Sequence, residues 1–541
     1  MSEVAEVIAV LPDKIRILIN DIDNFQIEGE PLSVGSYLKV YDHQDGCIIA
    51  IIENFLIDMQ ENKEGTPRKN YVVEASPLGF ITHEGKFIRG GNQIAIPPRK
   101  VEPASNADIQ KIYNGIEEAS QFIFATLAQD RTIKIPVDGN KFFNKHFAIV
   151  GSTGSGKSHT VAKVIQEAIN TKDGEYDGLN NSHIVIFDIH AEYATAFPNA
   201  QLITVSELTL PYWLLSSEEI EDLFIESNEE QSHNQVAVLK SLVTENKKKH
   251  FKGEAAARAK IHYDSPVFFD LNEVFEAIKA KNSEMIDGKN GPKQGALYGK
   301  LQNFINRFEN KINDVRLDFL LGDKVKKLST EETIRRLISY VKDLESNITI
   351  IDLSGVPFEV LSTTVSLISR LLFDHAYHTK KINPESKNET PLLLIYEEAH
   401  KYVPKTNLVK FNASRLALER IAKEGRKYGI SLGIVSQRPS EISETIFSQC
   451  SNFVAMRLTN PDDQNYVKKL LPDTLGTLTD ALSTLQAGEA LLIGDASVMP
   501  TLVNIGKCSP SPSSNDILYL HEWKKGWKEV NFEQVISNWQ R

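Results

Sequence analysis

One stretch constrains the fold more than any other: "GSTGSGKS", from Gly151 to Ser158, has the spacing G-x-x-x-x-G-K-S. Residues 146–150 before it are typical of a buried strand, and residues 160–169 after it are typical of a helix. Glycines in such a turn let backbone N–H groups wrap around phosphate oxygens, and the helix N-terminus adds partial positive charge. A chance Gly/Ser turn is the alternative, but the motif and its flanking elements agree. The sequence therefore predicts a phosphate loop that binds a nucleoside triphosphate.

The same motif predicts which residues hold ATP and Mg²⁺. Lys157 would reach the outer phosphates, and the hydroxyl of Ser158 would be a Mg²⁺ ligand. The residues expected to bind the cofactor are Gly151, Ser152, Thr153, Gly154, Ser155, Gly156, Lys157, Ser158 and His159.

Length and composition exclude several classes of protein. With 541 residues the chain is long enough for about three to four units, and 41% hydrophobic with 24% charged residues is ordinary for a soluble globular protein. No apolar run approaches the roughly 18 residues of a membrane span, and the first residues do not resemble a secretory signal. Three cysteines lie far apart without metal-binding spacing, which favours a cytoplasmic protein with ordinary thiols.

The net charge is −12, which argues against a chain coated in nucleic acid. Phosphate contacts are local, however, so a basic groove or channel on an acidic protein stays open as an alternative.

Changes in pattern divide the chain into five segments. We expect an N-terminal β-barrel for assembly or partner docking at 1–100, and the first part of an α/β ATPase core at 101–211. A helical insertion, with no strand pattern, is expected at 212–345. The second part of the core follows at 346–508, and a C-terminal extension or strap at 509–541.

The fold class of the core is predicted from apolar runs that alternate with helical stretches. We expect a helix over Asn106 to Ala128, and strands in "HIVIFDIHAEY", "ITIIDLSG", "LLLIYEEAH", "ISLGIVSQRP" and "NFVAMRL". Near-continuous apolar strands between helices indicate a mainly parallel sheet covered on both faces.

Two carboxylates at the end of "LLLIYEEAH" are the expected catalytic acids. Adjacent strand residues point to opposite faces, so Glu397 and Glu398 can take different roles. Glu397 would hold the water shell of Mg²⁺, and Glu398 would polarise the attacking water as a general base. A pair of solvated acids at a strand end is the alternative.

Two further strand ends add candidates at the same edge of the sheet. Gln437 in "SQRP" could contact the γ-phosphate and sense hydrolysis, or it could serve only as a turn residue. Asp188, His190 and Glu192 in "DIHAEY" end the strand next in sequence to the phosphate loop. Ligands bind at the carboxyl ends of parallel strands, so this trio is expected near the nucleotide, in a structural or a catalytic role.

A positive charge on the transferred phosphate often comes from a neighbouring chain. Arg426, in a glycine-rich turn before the Gln437 strand, is the preferred trans-acting finger, with surface salt bridging as the alternative. Lys145, just before the phosphate-loop strand, is a weaker candidate.

Three lysines after the acidic pair could contact DNA. Lys401, Lys405 and Lys410 lie in "KYVPKTNLVKF", where hydrolysis could move them; a solvated loop is the equal alternative. For the cluster Lys247, Lys248 and Lys249, we expect a solvated helix face rather than a nucleic-acid contact.

Taken together, "GSTGSGKS", "DIHAEY", "IYEEAH", "EGRKYG", "SQRPSEIS" and "RLTNPDDQNYV" resemble the HerA family of hexameric DNA translocases and helicases, in the same broad group as FtsK-type DNA pumps. The resemblance extends from the N-terminal barrel to about residue 508. It implies a RecA-like motor with a β-barrel and a helical insertion, six of which form a ring around double-stranded DNA.

The resemblance also implies roles for single residues. Lys157 and Ser158 are assigned to nucleotide and Mg²⁺, Glu398 to catalysis, Gln437 to sensing and Arg426 to the neighbouring site. Many members have Asp where this chain has Glu397. In addition, Lys145 stands where an arginine is frequent.

HerA-type motors usually work with a nuclease of the NurA type in DNA end processing. Other members resemble anti-phage systems paired with a Sir2-like NAD-consuming protein or another nuclease.

The leading hypothesis is an ATP-driven double-stranded DNA translocase or helicase. The alternatives are a ring that assembles and licenses a partner enzyme without processive movement, and a secretion-type motor acting on protein. The lack of a membrane segment and the "SQRP" and "EEAH" pattern argue against the last.

Overall fold

A computed structural model describes most of the chain. The described residues are 4–11, 14–26, 32–41, 46–61, 67–90, 100–175, 177–226, 229, 232–288, 291–338, 346–382, 390–405, 413–469, 479–514 and 517–540.

The N-terminal segment is an antiparallel sheet with its own hydrophobic core. Its strands are β1 (Ala5–Val10), β2 (Ile15–Ile19), β3 (Tyr37–Tyr41), β4 (Cys47–Glu61), β5 (Pro67–Ile81), β6 (Phe87–Arg89) and β7 (Val101–Pro103), and helix α1 (Ile22–Phe25) follows β2. The order is β1-β2-β5-β4-β3-β7, with β6 on β5. A bridge between Glu6 and Lys100 brings β1 next to the residue before β7. The barrel stays a prediction.

The core of the molecule is an eleven-stranded mixed sheet in the described part of the chain. Its strands are β8 (Gln121–Leu127), β9 (Lys134–Asp138), β10 (Phe147–Val150), β11 (His183–Asp188), β12 (Gln201–Ile203), β15 (Ile348–Asp352), β16 (Leu392–Tyr396), β17 (Ile430–Ser436), β18 (Asn452–Met456), β19 (Glu489–Gly494) and β20 (Thr501–Ile505). A separate hairpin consists of β13 (Met285–Gly288) and β14 (Gly291–Gln294).

The strand order, β12-β15-β11-β16-β17-β10-β18-β19-β20-β8-β9, determines where functional side chains can meet. From β12 to β18 the neighbouring strands run parallel, and from β18 to β9 they run antiparallel. The five strands expected from the apolar runs are present, as β11, β15, β16, β17 and β18. The α/β fold class is therefore confirmed, with an antiparallel extension that the sequence did not indicate.

Helices cover this sheet and fill the insertion. Those of the core are α2 (Asn106–Tyr113), α3 (Gly139–Asn144), α4 (Lys157–Asn170), α12 (Phe358–Ile382), α13 (Ala413–Glu424), α14 (Glu444–Gln449) and α15 (Pro461–Lys469). Those of the insertion are α5 (Ser217–Phe224), α6 (Ser232–His250), α7 (Ala255–Ala259), α8 (Leu271–Asn282), α9 (Gln302–Ile312), α10 (Asp318–Leu321) and α11 (Thr330–Leu337). The C-terminal extension contains α16 (Tyr519–Trp523) and α17 (Phe532–Trp539).

Among the described helices, including the 25-residue α12, none is both long and apolar enough to cross a membrane. All three cysteines are free thiols.

Two sequence-based expectations about secondary structure are wrong. The helix expected over Asn106 to Ala128 ends at Tyr113, and residues 121–127 form β8, which pairs with β20 and β9. The alternating burial along β8 is that of a strand whose two faces differ. The segment 212–345 is mainly helical, but it also contains the hairpin β13–β14, which contradicts the expected absence of strands.

A buried ion pair attaches the insertion to the core. Arg370 of α12 donates from Nη2 to Oε2 of Glu219 in α5 at 2.8 Å, and Ser366 donates to Oε1 of the same carboxylate at 2.7 Å. Because Glu219 is 1% exposed, its charge requires these partners, and removing Arg370 would cost about 3–5 kcal/mol.

The expectation of a solvated face for the lysine cluster is wrong for Lys247. Its ammonium is buried and donates to the carbonyl oxygens of Tyr263 and Ser265 at 2.5 and 2.7 Å, and burial lowers its pKa to about 8. Lys249 lies at the surface, 2.9 Å from Glu273. Lys247 therefore stabilises the insertion and is not available to a nucleic acid.

His146 connects three elements below the phosphate-loop strand. It has a positive φ of 50°, and its Nδ1 accepts from the N–H of Leu432 at 3.0 Å. Nε2 must then carry the proton, and it donates to the carbonyl oxygen of Ala422 at 3.0 Å. Burial lowers the pKa of His146 to about 4, so the folded chain keeps this imidazole neutral.

We predict that His146 makes the fold sensitive to acid. Between about pH 6.5 and pH 4 the unfolded chain binds a proton on this side chain that the folded chain does not, so stability falls as the pH falls through this window. Asn tolerates a positive φ and does not titrate. In His146→Asn, the loss of thermal midpoint between pH 7 and pH 5 should be smaller than in the wild type. An equal loss in both proteins would contradict this role.

Candidate active site

The phosphate loop closes tightly between β10 and α4. Gly154 and Gly156 have positive φ values of 72° and 101°. A Cβ atom at Gly151 would lie 2.6 Å from Oγ of Ser155 and 2.8 Å from Cβ of Met456. Only glycine fits such a conformation and such an approach, so the loop can fold back over the end of β10.

Neighbouring strands attach this loop to the sheet. The N–H of Gly151 donates to the carbonyl oxygen of Ser436 at the end of β17, at 3.2 Å. The N–H of Ser152 donates to Arg457, just after β18, at 2.7 Å, and the N–H of Gly488 donates to Ser155 at 3.0 Å. The loop is therefore anchored on both sides of β10.

Lys157 and Ser158 occupy the first turn of α4, as the motif predicts. Nζ of Lys157 reaches back to the carbonyl oxygen of Ser152 at 3.4 Å, and burial lowers its pKa against the opposing effects of Glu398, Glu397 and Glu192. The hydroxyl of Ser158 donates to Oε2 of Glu192 at 2.8 Å.

Gln437 lies directly over the phosphate loop. It follows β17, and its Oε1 accepts from Oγ1 of Thr153 at 2.7 Å. The structure thus brings the proposed sensor into contact with the loop that would hold the phosphates. His159, the last of the expected cofactor residues, faces the C-terminal extension, with Nδ1 3.5 Å from Oγ of Ser514.

The two acids follow β16, which is separated from β10 only by β17. Glu397 and Glu398 are 4% and 6% exposed, so they are not the solvated pair of the alternative interpretation. Burial, followed by the charges of Asp188 and Glu192, raises the pKa of Glu397 well above its usual range.

Glu398 has a left-handed backbone, with φ 46°, in the turn after β16. Its Oε2 lies 3.2 Å from Nδ1 of His400, and that nitrogen is 3.1 Å from Oγ of Ser436 on β17. His400 is mostly buried, and burial lowers its pKa. His400 is a residue that the sequence interpretation quoted only as part of "EEAH"; its position two residues after Glu398 was the available signal.

The residues present fit a magnesium ion that arrives with a nucleotide. Among the described residues, no group of three or more His, Cys, Asp or Glu side chains forms a complete metal cage. Oε2 of Glu397 and Oε2 of Glu398 are buried without a well-aligned hydrogen-bond donor in the described part. Oxygen donors with one or two carboxylates, completed by phosphates and water, are what Mg²⁺ prefers.

The "DIHAEY" residues take three different positions. Asp188 accepts from the backbone N–H groups of His190 and Tyr193 at 3.2 and 2.9 Å, so it organises the turn after β11. His190 faces Lys401, with Nε2 3.3 Å from Nζ. Glu192 contacts the phosphate-loop helix through the hydroxyl of Ser158.

Arg426 lies at the opposite end of the parallel strands from the phosphate loop. It is exposed in the short 3₁₀ turn Gly425–Tyr428, which precedes β17, and its charge is close enough to act on His146 at the start of β10. The phosphate loop follows the other end of β10, so Arg426 is separated from its own loop by the length of the strand. Lys145 lies at this end too, 2.6 Å from Asp495.

The lysines expected to contact DNA are not all described. Lys401 is half-buried beside His190, and Nζ of Lys405 lies 2.7 Å from Oε1 of Glu444. Lys410 lies outside the described residues.

Part of the C-terminal extension crosses the site. The N–H of Ser513 donates to the carbonyl oxygen of Glu192 at 2.9 Å, and Gln166 of α4 contacts Ser509 and Pro510 at 2.9 and 2.8 Å. Residues 509–514 therefore lie on their own ATPase core. Beyond them Trp523, Trp527 and Trp539 are largely exposed, at 76%, 95% and 86%.

Arg457 is a second residue that the sequence interpretation did not single out. Its Nη2 is the atom nearest to a Cβ built on Gly154, at 3.9 Å. An arginine at the end of a strand beside a phosphate loop has no distinctive spacing, so only the strand order identifies it.

Comparisons with known proteins identify similar sequences. Residues 122–372 match the family model described as the central domain of the helicase HerA. A HerA DNA double-strand break repair helicase of Sulfolobus acidocaldarius is 26% identical over 520 residues, covering 93% of this chain and 94% of the relative. Residues 122–372 are thus similar to the central domain of HerA helicases. The resemblance to the HerA family is thus confirmed, and with it the prediction of an ATPase enzyme.

Another relative of the same description and one solved structure are also similar to this chain. The protein of the same description from Pyrococcus furiosus is 26% identical, with 80% of each chain covered. Among solved structures, VirB4 of Thermoanaerobacter pseudethanolicus aligns with a TM-score of 0.49 at 15% identity, covering 73% of this chain and 98% of VirB4.

We predict that Gly156→Ala weakens binding of a fluorescent ADP analogue in the presence of Mg²⁺ by roughly tenfold or more. The left-handed backbone at Gly156, with φ 101°, would be strained by a side chain, and this strain would distort the loop that holds the phosphates.

Gly174→Ala is the matched control, because Gly174 also has a positive φ, of 81°, but has nothing within 4 Å of the added methyl. Equal losses of affinity in both variants would contradict a specific role for the loop.

Proposed function

We propose that this chain is an ATP-dependent translocase or helicase of double-stranded DNA that works as a hexameric ring. The observation that carries the proposal is the meeting of the phosphate loop, Gln437 and the buried pair Glu397 and Glu398 at one edge of the sheet. The HerA relatives, described as DNA double-strand break repair helicases, indicate the substrate.

Within this site each residue has a distinct part. The loop amides from Gly151 to Gly156 and Lys157 hold the phosphates of ATP, with His159 at the margin. Ser158 and Glu397 would hold Mg²⁺, which would supply positive charge to offset that of the phosphates. Glu398 orients and deprotonates the attacking water, and His400 supports its carboxylate at 3.2 Å.

The opposite position of Arg426 supports an assembly of several copies. An exposed arginine that is a strand length away from its own loop can complete the active site of an adjacent copy. Repetition of such a head-to-tail contact generates a ring when the rotation closes, and we propose six copies of a RecA-like motor. The exposed aromatic part of the C-terminal extension fits a strap onto the adjacent copy.

DNA would contact the loop that follows Glu398. The proximity of His190 and Lys401 connects this loop with the nucleotide edge, at 3.3 Å. Lys401, Lys405 and Lys410 would contact backbone phosphates without reading sequence. Because Lys405 is paired with Glu444, this ion pair would have to open first.

The N-terminal sheet, as a small barrel, is the proposed docking site for a partner nuclease or another defence effector in the cytoplasm. An ATP-regulated scaffold that licenses such an effector, without processive movement, is the second candidate. The exposed C-terminal helices favour an assembly role in either case.

The direct test is steady-state ATP hydrolysis by the purified chain with and without linear double-stranded DNA, together with the mass of the assembly. We expect several-fold stimulation by DNA in a six-subunit species. In Glu398→Gln, loss of the general base should lower turnover by about 10²–10⁴-fold. If the rate of ATP hydrolysis were the same with and without DNA, the result would instead support the ATP-regulated scaffold.

We also predict that Arg426 acts in trans. Arg426→Ala and Lys157→Ala should each abolish hydrolysis. Mixed rings of the two variants contain interfaces with both residues intact, so part of the activity should return after co-assembly. If mixtures stay inactive although co-assembly is shown by mass, Arg426 does not complete a neighbouring site.

A further inference from the structure

We propose that Glu192 is a positioning residue for the magnesium–nucleotide complex, acting through the hydroxyl of Ser158. This inference rests on the proposed function, because it concerns the same site. The proposed function gives Glu192 no role. We assign it one, and we expect its effect on nucleotide affinity to have opposite signs with and without Mg²⁺.

The turn after β11 is built to hold Glu192 in one place. The carboxylate of Asp188 accepts from the N–H groups of His190 and Tyr193, at 3.2 and 2.9 Å, and so closes the turn on both sides of Ala191. Ala191 has a left-handed backbone with φ 56°, which is uncommon for alanine. With this backbone conformation, the turn brings Glu192 to α4.

The contact made by Glu192 is specific. Its Oε2 accepts from Oγ of Ser158 at 2.8 Å, which orients the hydroxyl that the phosphate-loop motif assigns to Mg²⁺. When that oxygen coordinates a cation, its proton must point away from the metal, and a carboxylate is the acceptor that stabilises this orientation.

A second anchor comes from the far end of the chain. The N–H of Ser513 donates to the carbonyl oxygen of Glu192 at 2.9 Å, and its Oγ donates to the same oxygen at 3.3 Å. Next to it, Oγ1 of Thr195 donates to the carbonyl oxygen of Ser511 at 3.0 Å. Glu192 is thus fixed from both β11 and the C-terminal extension.

Independent observations indicate that a cation belongs beside this residue. Glu397 and Glu398 are more than nine-tenths buried, and each has an oxygen without a well-aligned donor among the described residues. The charge of Glu192 acts on both Lys157 and Glu397. Several carboxylates lie near a single lysine, so acidic groups outnumber cationic ones here, and Mg²⁺ would restore the balance.

The sign of the effect follows from these charges. Without Mg²⁺, the Glu192 carboxylate repels the phosphates of a bound nucleotide. With Mg²⁺, it holds the Ser158 hydroxyl in the orientation that the metal requires and attracts the cation. Removing the charge of Glu192 should therefore strengthen nucleotide binding without Mg²⁺ and weaken it with Mg²⁺.

The experiment measures the affinity of a fluorescent ADP analogue for the full chain, in EDTA and in Mg²⁺. For Glu192→Gln we expect tighter binding in EDTA and about tenfold weaker binding in Mg²⁺. Glu192→Asp keeps the charge and should retain part of the tightening caused by Mg²⁺. Glu167→Gln removes a carboxylate from the solvent-exposed part of α4, where it pairs with Lys163, and should change neither affinity.

Each outcome decides the proposal. If Glu192→Gln changed the nucleotide affinity equally in EDTA and in Mg²⁺, or not at all, the proposal would be overturned. Loss of all nucleotide binding in Glu192→Asp, with a normal thermal midpoint, would overturn it too. If the wild-type chain itself bound no nucleotide, or bound it equally with and without Mg²⁺, the proposed function would fail instead. The two failures are therefore distinguishable.

Discussion

The catalytic edge of this protein depends on the tight closure of the phosphate loop between β10 and α4. Close contact with Ser155 and Met456 leaves no room for a side chain at Gly151, and the left-handed backbone at Gly156 disfavours any residue other than glycine. Hydrogen bonds from the loop to the ends of β17 and β18 then fix the position of the loop at the ends of the strands. The other residues at these strand ends take their positions relative to this anchored loop.

Strand order does the rest of the positioning. Because β17 separates β10 from β16, Gln437 reaches the loop directly, while Glu397 and Glu398 approach from one strand further away. The turn after β11 adds Glu192 at the phosphate-loop helix. A parallel arrangement brings all these strand ends to one edge, and it necessarily sends Arg426, which precedes β17, to the other. One sheet therefore presents the candidate active site at one end of its parallel strands and a candidate finger for a neighbouring copy at the other end.

Much of this architecture could be predicted from the sequence, since long apolar runs identify β11, β15, β16, β17 and β18, and the glycine spacing identifies the loop. The strand β8 could not, because its mixed composition comes soon after a real helix, α2, and its partner β20 lies about 380 residues away. The burial of Lys247 also depended on distant carbonyl groups at Tyr263 and Ser265.

The roles within "DIHAEY" show the same limit at the site. Spacing places Asp188 and Glu192 near the nucleotide but does not say which of them organises the turn and which contacts Ser158. That distinction comes from a left-handed residue at Ala191 and from the C-terminal extension, neither of which has a pattern in the sequence.

The central claim is that hydrolysis at this edge drives movement along double-stranded DNA. The most direct measurement is the steady-state rate of ATP hydrolysis on linear duplexes of increasing length, at a constant concentration of DNA ends. A motor that travels from an end hydrolyses more ATP per encounter on longer duplexes, so the rate should rise with length until dissociation limits it. A DNA-stimulated rate that is the same on short and long duplexes would contradict translocation and leave a ring that only senses DNA.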